Sequence, residues 1–338
     1  MSRLTLTLAC GAYDRTHALL DGRVAVEGID LNPMVVPLEE LFRRQARYAE
    51  FDVAEFSLAT YAVLLGRGDD RFVGLPVFPS RAFRHGHILV NARAGIASPA
   101  DLAGRRVGCP AYTQTAAVWA RGLLLHEYGV RQEQLTWYLG GLDAPLVEER
   151  VAGAVPEGVP TVVLGPDQTL DALLDTGEID ALIAADWPRC FLIGSPNVRR
   201  LFPDYHEREI EYYRRTRRFP IMHNVVVRRE VYDRHRWVAR ALQKGFAAAK
   251  TRGMRWLSAS AALAAAAPFL MHTLEETRAL MGGDYWPYGL AANRAELEAV
   301  LADLYEQRLT PRRFDPEELF APETHPELDP EQEAARPP

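Results

Sequence analysis

The chain has 338 residues, which is long for one compact core of ordinary size and suits two packed units. Hydrophobic residues make up 48% and charged residues 25%, so the composition excludes disordered and fibrous classes. The formal net charge of -6 disfavours a nucleic acid or an anionic membrane as the partner.

The first residues predict a strand and no export signal. Residues 1–8 alternate apolar and polar side chains, and they lack the apolar core and cleavage site of a signal peptide. The longest apolar run, residues 261–271, is interrupted by Pro268 and is too short to cross a bilayer. Three widely spaced cysteines, an odd number, favour reduced buried thiols. We therefore expect a cytoplasmic protein with no membrane span.

The next elements alternate helices and strands, and polar loops follow the strands. Gly11 and the polar residues after it predict a loop at the end of the first strand. Apolar residues at helical spacing predict a helix over residues 38–48. A strand over residues 51–56 follows, and Ser57 at its end is a suitable cap for another helix. Such strand ends are where open α/β sheets bind ligands.

A second group of elements predicts an anion-binding helix start. Residues 85–91 indicate a strand, and residues 98–108 indicate a helix, a turn and a new strand. The polar loop 112–115 then opens an amphipathic helix. Unpaired backbone N–H groups and the helix dipole favour an anion at this loop.

The following segment predicts a strand tip that carries an acid. Residues 169–175 indicate a helix that Gly177 stops. Residues 179–185 then form an apolar strand that ends at Asp186. We therefore expect a second strand end at the cleft between the two packed units.

The last elements return the chain to the first lobe. Residues 221–227 predict a hinge strand, and a helix follows through Val238, Leu242 and Phe246. The alanine-rich residues 259–267 predict helix of low complexity. The tail after residue 322, rich in proline and glutamate, is expected to be extended or disordered.

This order of elements predicts an α/β protein of two lobes with mixed sheets and two hinge crossovers. We place lobe 1 at residues 1–91 and 221–321, lobe 2 at residues 92–220, and the tail at residues 322–338. No internal repeat of fixed period is present, which excludes solenoids and propellers.

Ordered blocks along almost the whole chain, to about residue 321, resemble the 4,5-dihydroxyphthalate decarboxylase family. The blocks are Tyr13-Asp14-Arg15-Thr16, Glu55-Phe56-Ser57-Leu58, residues 76–85, residues 115–119, residues 177–182, residues 200–205, residues 219–223 and Trp286-Pro287-Tyr288-Gly289. The resemblance implies a fold like the type II periplasmic binding proteins. It also implies a carboxy-lyase of phthalate catabolism that acts on a hydroxylated aromatic acid such as 4,5-dihydroxyphthalate.

Decarboxylation of such an acid can proceed by protonation of the ring carbon, with no obligatory metal or cofactor. The site then needs cations for the carboxylate that stays, a proton donor at the ring carbon and an acceptor at the phenol. Arg81 and Arg84, with Arg15 from the first strand tip, are the predicted cations, because a guanidinium pairs with both carboxylate oxygens.

Two histidines and one acid are the predicted catalytic residues. His85 and His223 lie on the two predicted crossover strands, so that closure of the lobes would bring them together. Asp186, at a strand tip, is the third candidate. The sequence leaves open which histidine is the acid and which is the base.

Further side chains are predicted to contact the substrate. Hydrogen-bond donors at helix starts are Ser57, Tyr112, Thr113, Gln114 and Thr115, and rings that could stack on the substrate are Trp286 and Tyr288. Each residue also has a structural alternative: surface ion pairs for the arginines, burial for the histidines and the aromatic rings, and capping for Asp186, Ser57 and one threonine.

Two other functions remain open at this point. A carboxylate-binding receptor of the solute-binding class would use the same fold without chemistry. A metal-dependent decarboxylase is suggested by His85-Gly86-His87, whose spacing puts two imidazoles on one face of a strand, although no partner cluster of ligands accompanies it. Assembly into a homo-oligomer is also left open.

Overall fold

The computed structural model describes residues 3–145 and 151–326. Its strands are β1 (Leu4–Ala9), β2 (Ile29–Met34), β3 (Val53–Ser57), β4 (Phe72–Arg81), β5 (Ile88–Asn91), β6 (Arg106–Cys109), β7 (Thr136–Leu139), β8 (Thr161–Val163), β9 (Ala181–Ile183), β10 (Val198–Arg200) and β11 (Ile221–Arg228). Its helices are α1 (Asp14–Leu20), α2 (Leu38–Tyr48), α3 (Leu58–Gly66), α4 (Thr115–Tyr128), α5 (Leu170–Thr176), α6 (Arg189–Leu192), α7 (Tyr205–Thr216), α8 (Arg229–Arg234), α9 (Trp237–Leu257), α10 (Leu270–Met281) and α11 (Arg294–Glu306).

The strands form two mixed sheets. The first sheet has the order β2-β1-β3-β11-β4, in which β11 runs antiparallel to both of its neighbours. The second sheet has the order β10-β5-β9-β6-β7-β8, in which β6, β7, β8 and β9 are parallel. Every residue of the central strand β3 is buried, which fits its continuous apolar sequence around Glu55.

The chain crosses between the sheets twice, as predicted. It leaves the first sheet after β4 and enters the second at β5, and it returns between β10 and β11 through α7. The exact lobe bounds stay a prediction. Residues 88–91, which we placed in lobe 1, form β5 and pair with β9 and β10 of the second sheet.

Several predicted elements are confirmed close to their expected bounds. The helix at 38–48 is α2, whose buried Leu41, Phe42, Gln45 and Ala46 lie on one face. The strand ending at Ser57 is β3, and the hinge strand is β11. The helix predicted before Gly177 is α5, which Thr169 caps through its side chain.

Two predictions near the first crossing are wrong in detail. His85–His87 form a turn of 3-10 helix, and the strand begins only at Ile88, where pairing with Ile183 of β9 starts. The helix expected from residue 98 is likewise a short 3-10 turn, Pro99–Leu102. The turn at His85–His87 lets the chain change direction between the two sheets, because an extended strand would continue in the direction of β4.

The predicted alanine-rich helix is also absent. Residues 259–267 form bends between α9 and α10, and almost all of them are exposed. A short alanine-rich segment with no core to pack against is marginal as a helix, even though each residue favours one. In the tail, Pro322–Thr324 form a 3-10 turn, and residues 327–338 lie outside the described residues.

The structure has the packed apolar core and the buried cysteines that the composition predicted. Apolar side chains from both sheets form one large cluster, and a smaller cluster around Leu170 and Leu182 packs on the second sheet. Cys10, Cys109 and Cys190 are buried, and no disulfide joins them. Of the helices in the described part of the chain, none has the length and apolar character to span a membrane.

Candidate active site

A cavity of about 230 Å³ lies where the strand ends and helix starts of the two sheets meet. Its lining comes from α2, from the ends of β3 and β11, from the first crossing, from the start of α4 and from the segment after β9. Six of the predicted site residues line it: Ser57, Arg84, Gln114, Thr115, Asp186 and His223. The cavity is therefore the candidate active site.

His223 lines one side of this cavity and is paired with a carboxylate that lies outside the lining. His223 Nδ1 lies 2.7 Å from Glu55 Oε1, and the His223 ring packs edge-on against Phe42. The Glu55 side chain is fully buried and also accepts hydrogen bonds from the Gly11 amide and the Tyr13 hydroxyl. With Nδ1 engaged by Glu55, His223 has Nε2 left for a ligand.

Arg84 brings a buried positive charge to the opposite wall. Its Nε donates to the Ala82 carbonyl, whereas Nη1 is buried and has no hydrogen-bond partner. Burial lowers the pKa of Arg84 to about 10, although the carboxylates of Glu209 and Asp186 partly offset this effect. No ion pair of Arg84 exists within the described residues. A buried guanidinium in this state favours an anionic ligand.

His87, which the sequence suggested only as a metal ligand, lines the cavity beside Arg84. Its ring stacks on Trp187 with the centroids 5.5 Å apart, and it hydrogen-bonds the Ala185 backbone. Burial, together with Arg84 and Arg200, lowers the pKa of His87 to about 3, so the ring is neutral near pH 7. Nδ1 is buried without a partner, which leaves it as a free acceptor.

Two helices begin at the cavity. Thr115 Oγ1 lies 2.9 Å from Ser57 Oγ and accepts from the Ala59 amide at 3.0 Å, so the starts of α3 and α4 are joined. The amides of Thr115 and Ala116 begin α4 and have no acceptor within the described residues. Gln114 adds a buried side-chain oxygen that has no partner. The α4 dipole therefore points at the cavity, as predicted for an anion site.

A second cavity of about 470 Å³ adjoins the first. The two share Glu39, Gln114, Ala185 and Asp186 in their linings. Asp186 and Glu39 are exposed, so they lie at the open side. This wider cavity is a path by which a small molecule could reach the inner one.

Arg81 and His85 occupy places other than those predicted. The guanidinium of Arg81 is buried and donates to the backbone of Phe219 and Pro287 and to the side chain of Asn293, so it braces the chain behind the cavity. The His85 ring packs against Phe202 and Tyr212 and is not part of the cavity lining. Burial lowers the pKa of His85 to about 4.

The remaining predicted residues also lie outside the lining. Arg15 is stacked between Tyr13 and Trp286, with its central carbon 4.3 Å and 4.2 Å from the two ring centres. Tyr288 is buried next to Lys250, Tyr112 bonds Gln132, and Thr113 is buried near Thr60. None of these groups has a contact that assigns it to a ligand.

The sequence analysis did not select for the substrate site His87, which lines the cavity, or Glu55, which lies outside the lining and contacts His223. Glu55 had a usable signal, because a buried carboxylate between apolar neighbours in a strand requires a partner. His87 gave no comparable signal. The direction of the His87 side chain depends on the 3-10 turn, in which His85 and His87 contact different aromatic rings. The two imidazoles therefore do not share one face of a strand, as the metal site would require.

One cluster of possible metal ligands lies elsewhere in the described chain. His126, Asp303 and Glu306 have ligand atoms within 4.8 Å of one another, in a cavity between α4 and α11 that shares no lining residue with the candidate site. His126 Nε2 lies 3.0 Å from Asp303 and 3.2 Å from Glu306, distances that ordinary charged hydrogen bonds explain.

The fold matches solved binding proteins. The chain superimposes on the periplasmic aliphatic sulphonate binding protein SsuA from Escherichia coli with a TM-score of 0.53 at 14% identity, covering 96% of this chain and 99% of SsuA. The alkanesulfonate-binding protein SsuA from Xanthomonas axonopodis pv. citri gives 0.51 at 14% identity, with 95% and 97% covered. The predicted fold of type II periplasmic binding proteins is thereby confirmed.

The sequence matches curated enzymes. No family model matches the chain. It is 41% identical over 322 residues to 4,5-dihydroxyphthalate decarboxylase from Comamonas testosteroni, covering 95% of this chain and 98% of that enzyme. It is 38% identical over 214 residues to the enzyme of the same name from Pseudomonas putida, with 63% and 83% covered. The chain therefore belongs to the 4,5-dihydroxyphthalate decarboxylase family and is a carboxy-lyase.

Proposed function

We propose that the protein decarboxylates a hydroxylated aromatic dicarboxylic acid such as 4,5-dihydroxyphthalate, without a metal ion, in the cavity between its two sheets. The observation that carries this proposal is the pairing, in one cavity, of an unpaired buried guanidinium with a histidine–glutamate pair. The names of the curated relatives support the same substrate class.

Arg84 and the start of α4 hold the carboxylate that stays on the ring. The guanidinium can donate two parallel bonds to a carboxylate, and each bond to a charged group contributes about 1.5–3 kcal/mol. The free amides of Thr115 and Ala116 and the hydroxyl of Ser57 are further donors from the same region. These contacts orient the ring and leave the other carboxylate without a buried cation.

His223 donates the proton that replaces the departing carboxylate. In 4,5-dihydroxyphthalate each carboxylate has a hydroxyl group para to it. That hydroxyl gives its proton to solvent at the open side of the cavity, which raises the electron density at the carbon that bears the carboxylate, and it takes a proton back after CO₂ has left. His223 Nε2 protonates that carbon, and Glu55 stabilises the imidazolium before the transfer. The C–C bond then breaks, its electron pair restores the aromatic ring, and CO₂ leaves.

His87 accepts the phenolic hydrogen bond in this scheme. It is neutral near pH 7 and presents Nδ1 as an unpaired acceptor, because its other nitrogen is engaged by the Ala185 backbone. Asp186, exposed at the mouth, returns protons between solvent and the cavity. The net reaction consumes one proton and yields CO₂ and a monocarboxylate.

The test is a direct assay with 4,5-dihydroxyphthalate. The purified protein is expected to release CO₂ and to form protocatechuate, and in D₂O one deuterium should appear at the ring carbon that lost its carboxylate. His223→Gln should lower kcat at least about a hundredfold, as expected for loss of a positioned proton donor. Tight binding without turnover by the wild-type protein would contradict the proposal.

Metal independence has its own test. Activity should survive dialysis against a chelator, and elemental analysis of the active protein should show no stoichiometric metal. Loss of activity that a divalent cation restores would contradict this part of the proposal. The cytoplasmic location and a homo-oligomeric state remain predictions, which cell fractionation and light scattering would test.

A further inference from the structure

We propose that Tyr13 is a positioning residue that holds Glu55 against His223, an inference that rests on the proposed function. The Tyr13 hydroxyl donates to Glu55 Oε1 at 3.1 Å, and His223 Nδ1 lies 2.7 Å from the same oxygen. Tyr13 is not in the lining of the cavity, so it acts through Glu55 and has no role in contacting the substrate.

The loop around Tyr13 is built for this contact. The Tyr13 ring lies across Gly11, where a Cβ atom would be only 2.3 Å from the ring. The Gly11 amide donates to the other Glu55 oxygen at 2.9 Å. The Thr16 hydroxyl donates to the Gly11 carbonyl at 2.6 Å and accepts from the Tyr13 amide at 2.9 Å. Glycine at position 11 thus allows both donors to reach Glu55.

Two residues that we predicted to bind substrate support Tyr13 from behind. The Arg15 guanidinium lies between the rings of Tyr13 and Trp286. Arg15 is fixed by Asp14 and the Pro79 carbonyl, and Trp286 Nε1 donates to the Phe78 carbonyl at 2.9 Å. Stacking of this kind contributes about 0.5–1 kcal/mol at exposed sites and more when it is buried. The stack therefore fixes the position of the Tyr13 ring.

Tyr13 is always a donor at the pH values at which a histidine works. Burial, and then the charge of Glu55, raise the pKa of the Tyr13 hydroxyl well above its usual value. The hydroxyl therefore takes up part of the negative charge on Glu55 Oε1 and prevents the carboxylate from rotating. Without it, the Glu55 carboxylate keeps only the Gly11 amide and His223 as partners among the described contacts.

Other charged or titratable groups lie around the same cavity as His223. They are Glu39 of α2, Arg84 and His87 of the first crossing and Asp186 after β9 in the lining, and Glu55 of β3 in contact with His223 itself. Tyr13→Phe leaves all of these groups in place and keeps the ring that covers Gly11. Its effect on His223 can therefore be assigned to the lost hydrogen bond.

The first measurement is a ¹⁵N NMR spectrum of the His223 ring in the substrate-free protein at one pH, assigned with His223→Gln. In Tyr13→Phe the Nδ1 and Nε2 signals should shift, because the carboxylate that holds Nδ1 has lost its bond to the Tyr13 hydroxyl. Tyr232→Phe is the matched control, because it removes a similar bond, from the Tyr232 hydroxyl to Glu323, that is not part of this site. Nδ1 and Nε2 signals equal to those of the wild type in Tyr13→Phe would overturn the inference, whatever the substrate proves to be.

The second measurement is kinetic. Tyr13→Phe should lower kcat about tenfold, equal to ~1.4 kcal/mol, with KM unchanged. A change in KM alone, or equal effects of Tyr13→Phe and Tyr232→Phe, would contradict a positioning role. If the wild type has no activity, the proposed function fails while the NMR result still decides this inference.

Discussion

Arg81 and Arg84 are only three residues apart and are both buried, yet their surroundings assign them opposite roles. Arg81 has three acceptors for its guanidinium and only Nε lacks a partner, whereas Arg84 has a single backbone acceptor, and its buried Nη1 lacks a partner. A buried charge without compensation lowers stability and is retained where a ligand completes it. These contacts make Arg81 a structural residue, and they support our proposal that Arg84 binds the carboxylate.

Arg84→Met tests this distinction. We expect kcat/KM to fall about a hundredfold, equal to ~2.7 kcal/mol, because the carboxylate loses its charged partner. The free energy of unfolding should stay the same or rise by up to about 2 kcal/mol, since an unpaired buried charge is removed. Enzyme kinetics and urea unfolding measure the two effects.

Arg81→Met is the matched control for Arg84→Met. It leaves the carbonyls of Phe219 and Pro287 and the Asn293 side chain without their donor. We expect it to lower the free energy of unfolding by about 2–4 kcal/mol. If Arg84→Met destabilised the protein as much as Arg81→Met does, the claim that the Arg84 charge lacks a compensating partner would be contradicted.

The two neutral histidines of the first crossing predict sensitivity to acid. Burial lowers the pKa of His85 to about 4 and that of His87 to about 3, whereas the unfolded chain binds these protons below about pH 6.5. Above that pH the neutral histidines lower no part of the free energy of unfolding. As the pH falls toward 4, the free energy of unfolding decreases by about 1.4 kcal/mol per pH unit for each histidine.

His85→Gln should therefore flatten the pH dependence of the unfolding free energy between pH 6.5 and pH 4. Urea unfolding at a series of pH values measures the slope. His272→Gln is the control, because the His272 side chain is 70% exposed. Equal slopes for the wild type and His85→Gln would show that His85 can become charged in the folded protein.

At the level of elements, the starts of α3 and α4 are coupled through one hydroxyl. Thr115 Oγ1 contacts both Ser57 Oγ and the Ala59 amide. Thr115→Val keeps the shape of the side chain, removes the bond to Ser57 and leaves the buried Ala59 amide without its acceptor. We expect the free energy of unfolding to fall by about 1–3 kcal/mol in urea unfolding.

Thr113→Val is the control for the Thr115 variant. Thr113 Oγ1 is 3.5 Å from Thr60 Oγ1, and the Thr60 hydroxyl also reaches the Thr113 backbone carbonyl, which the change preserves. The expected loss is about 1 kcal/mol or less. A larger loss for Thr113→Val than for Thr115→Val would contradict the coupling of the two helices.

The sequence was informative where local pattern decides the structure. Helical spacing gave α2, an apolar run gave β11, and the polar loop at 112–115 gave the start of α4. The helix predicted at Ala259–Ala267 is wrong because helix propensity without an apolar face does not stabilise a helix. The strand predicted at His85–His87 is wrong because the chain changes direction there, and Gly86 packs against Tyr205.

The site was predicted only in part because its central pair depends on strand register. His223 of β11 lies opposite Ser57 of β3, which puts Glu55, two residues away on the same face, at the diagonal position. No local pattern shows which strand will pair with β3. Ser57, Gln114, Thr115 and Asp186 were found because each lies at a strand end or a helix start, and His223 was found because it lies on a predicted crossover strand. Arg84 was found because its guanidinium suits a carboxylate.

At the level of the whole molecule, neither sheet has a complete site. The first sheet provides Glu55 and His223, the crossing provides Arg84, and the second sheet side provides Gln114 and Thr115. A bound dicarboxylate would contact all three parts at once. It should therefore stabilise the folded chain as a unit, by an amount that grows with the logarithm of its concentration above Kd.

Phthalate, which has both carboxylates and no hydroxyl, tests this expectation without turnover. It can pair with Arg84 but cannot supply electrons from a phenolate, so we expect competitive inhibition with no CO₂ release. At a concentration about 100 times its Kd it should add ~2.7 kcal/mol to the free energy of unfolding. Thermal unfolding across a phthalate series measures the effect, and Arg84→Met should abolish it. Equal stabilisation of the wild type and Arg84→Met would place the carboxylate site elsewhere in the protein.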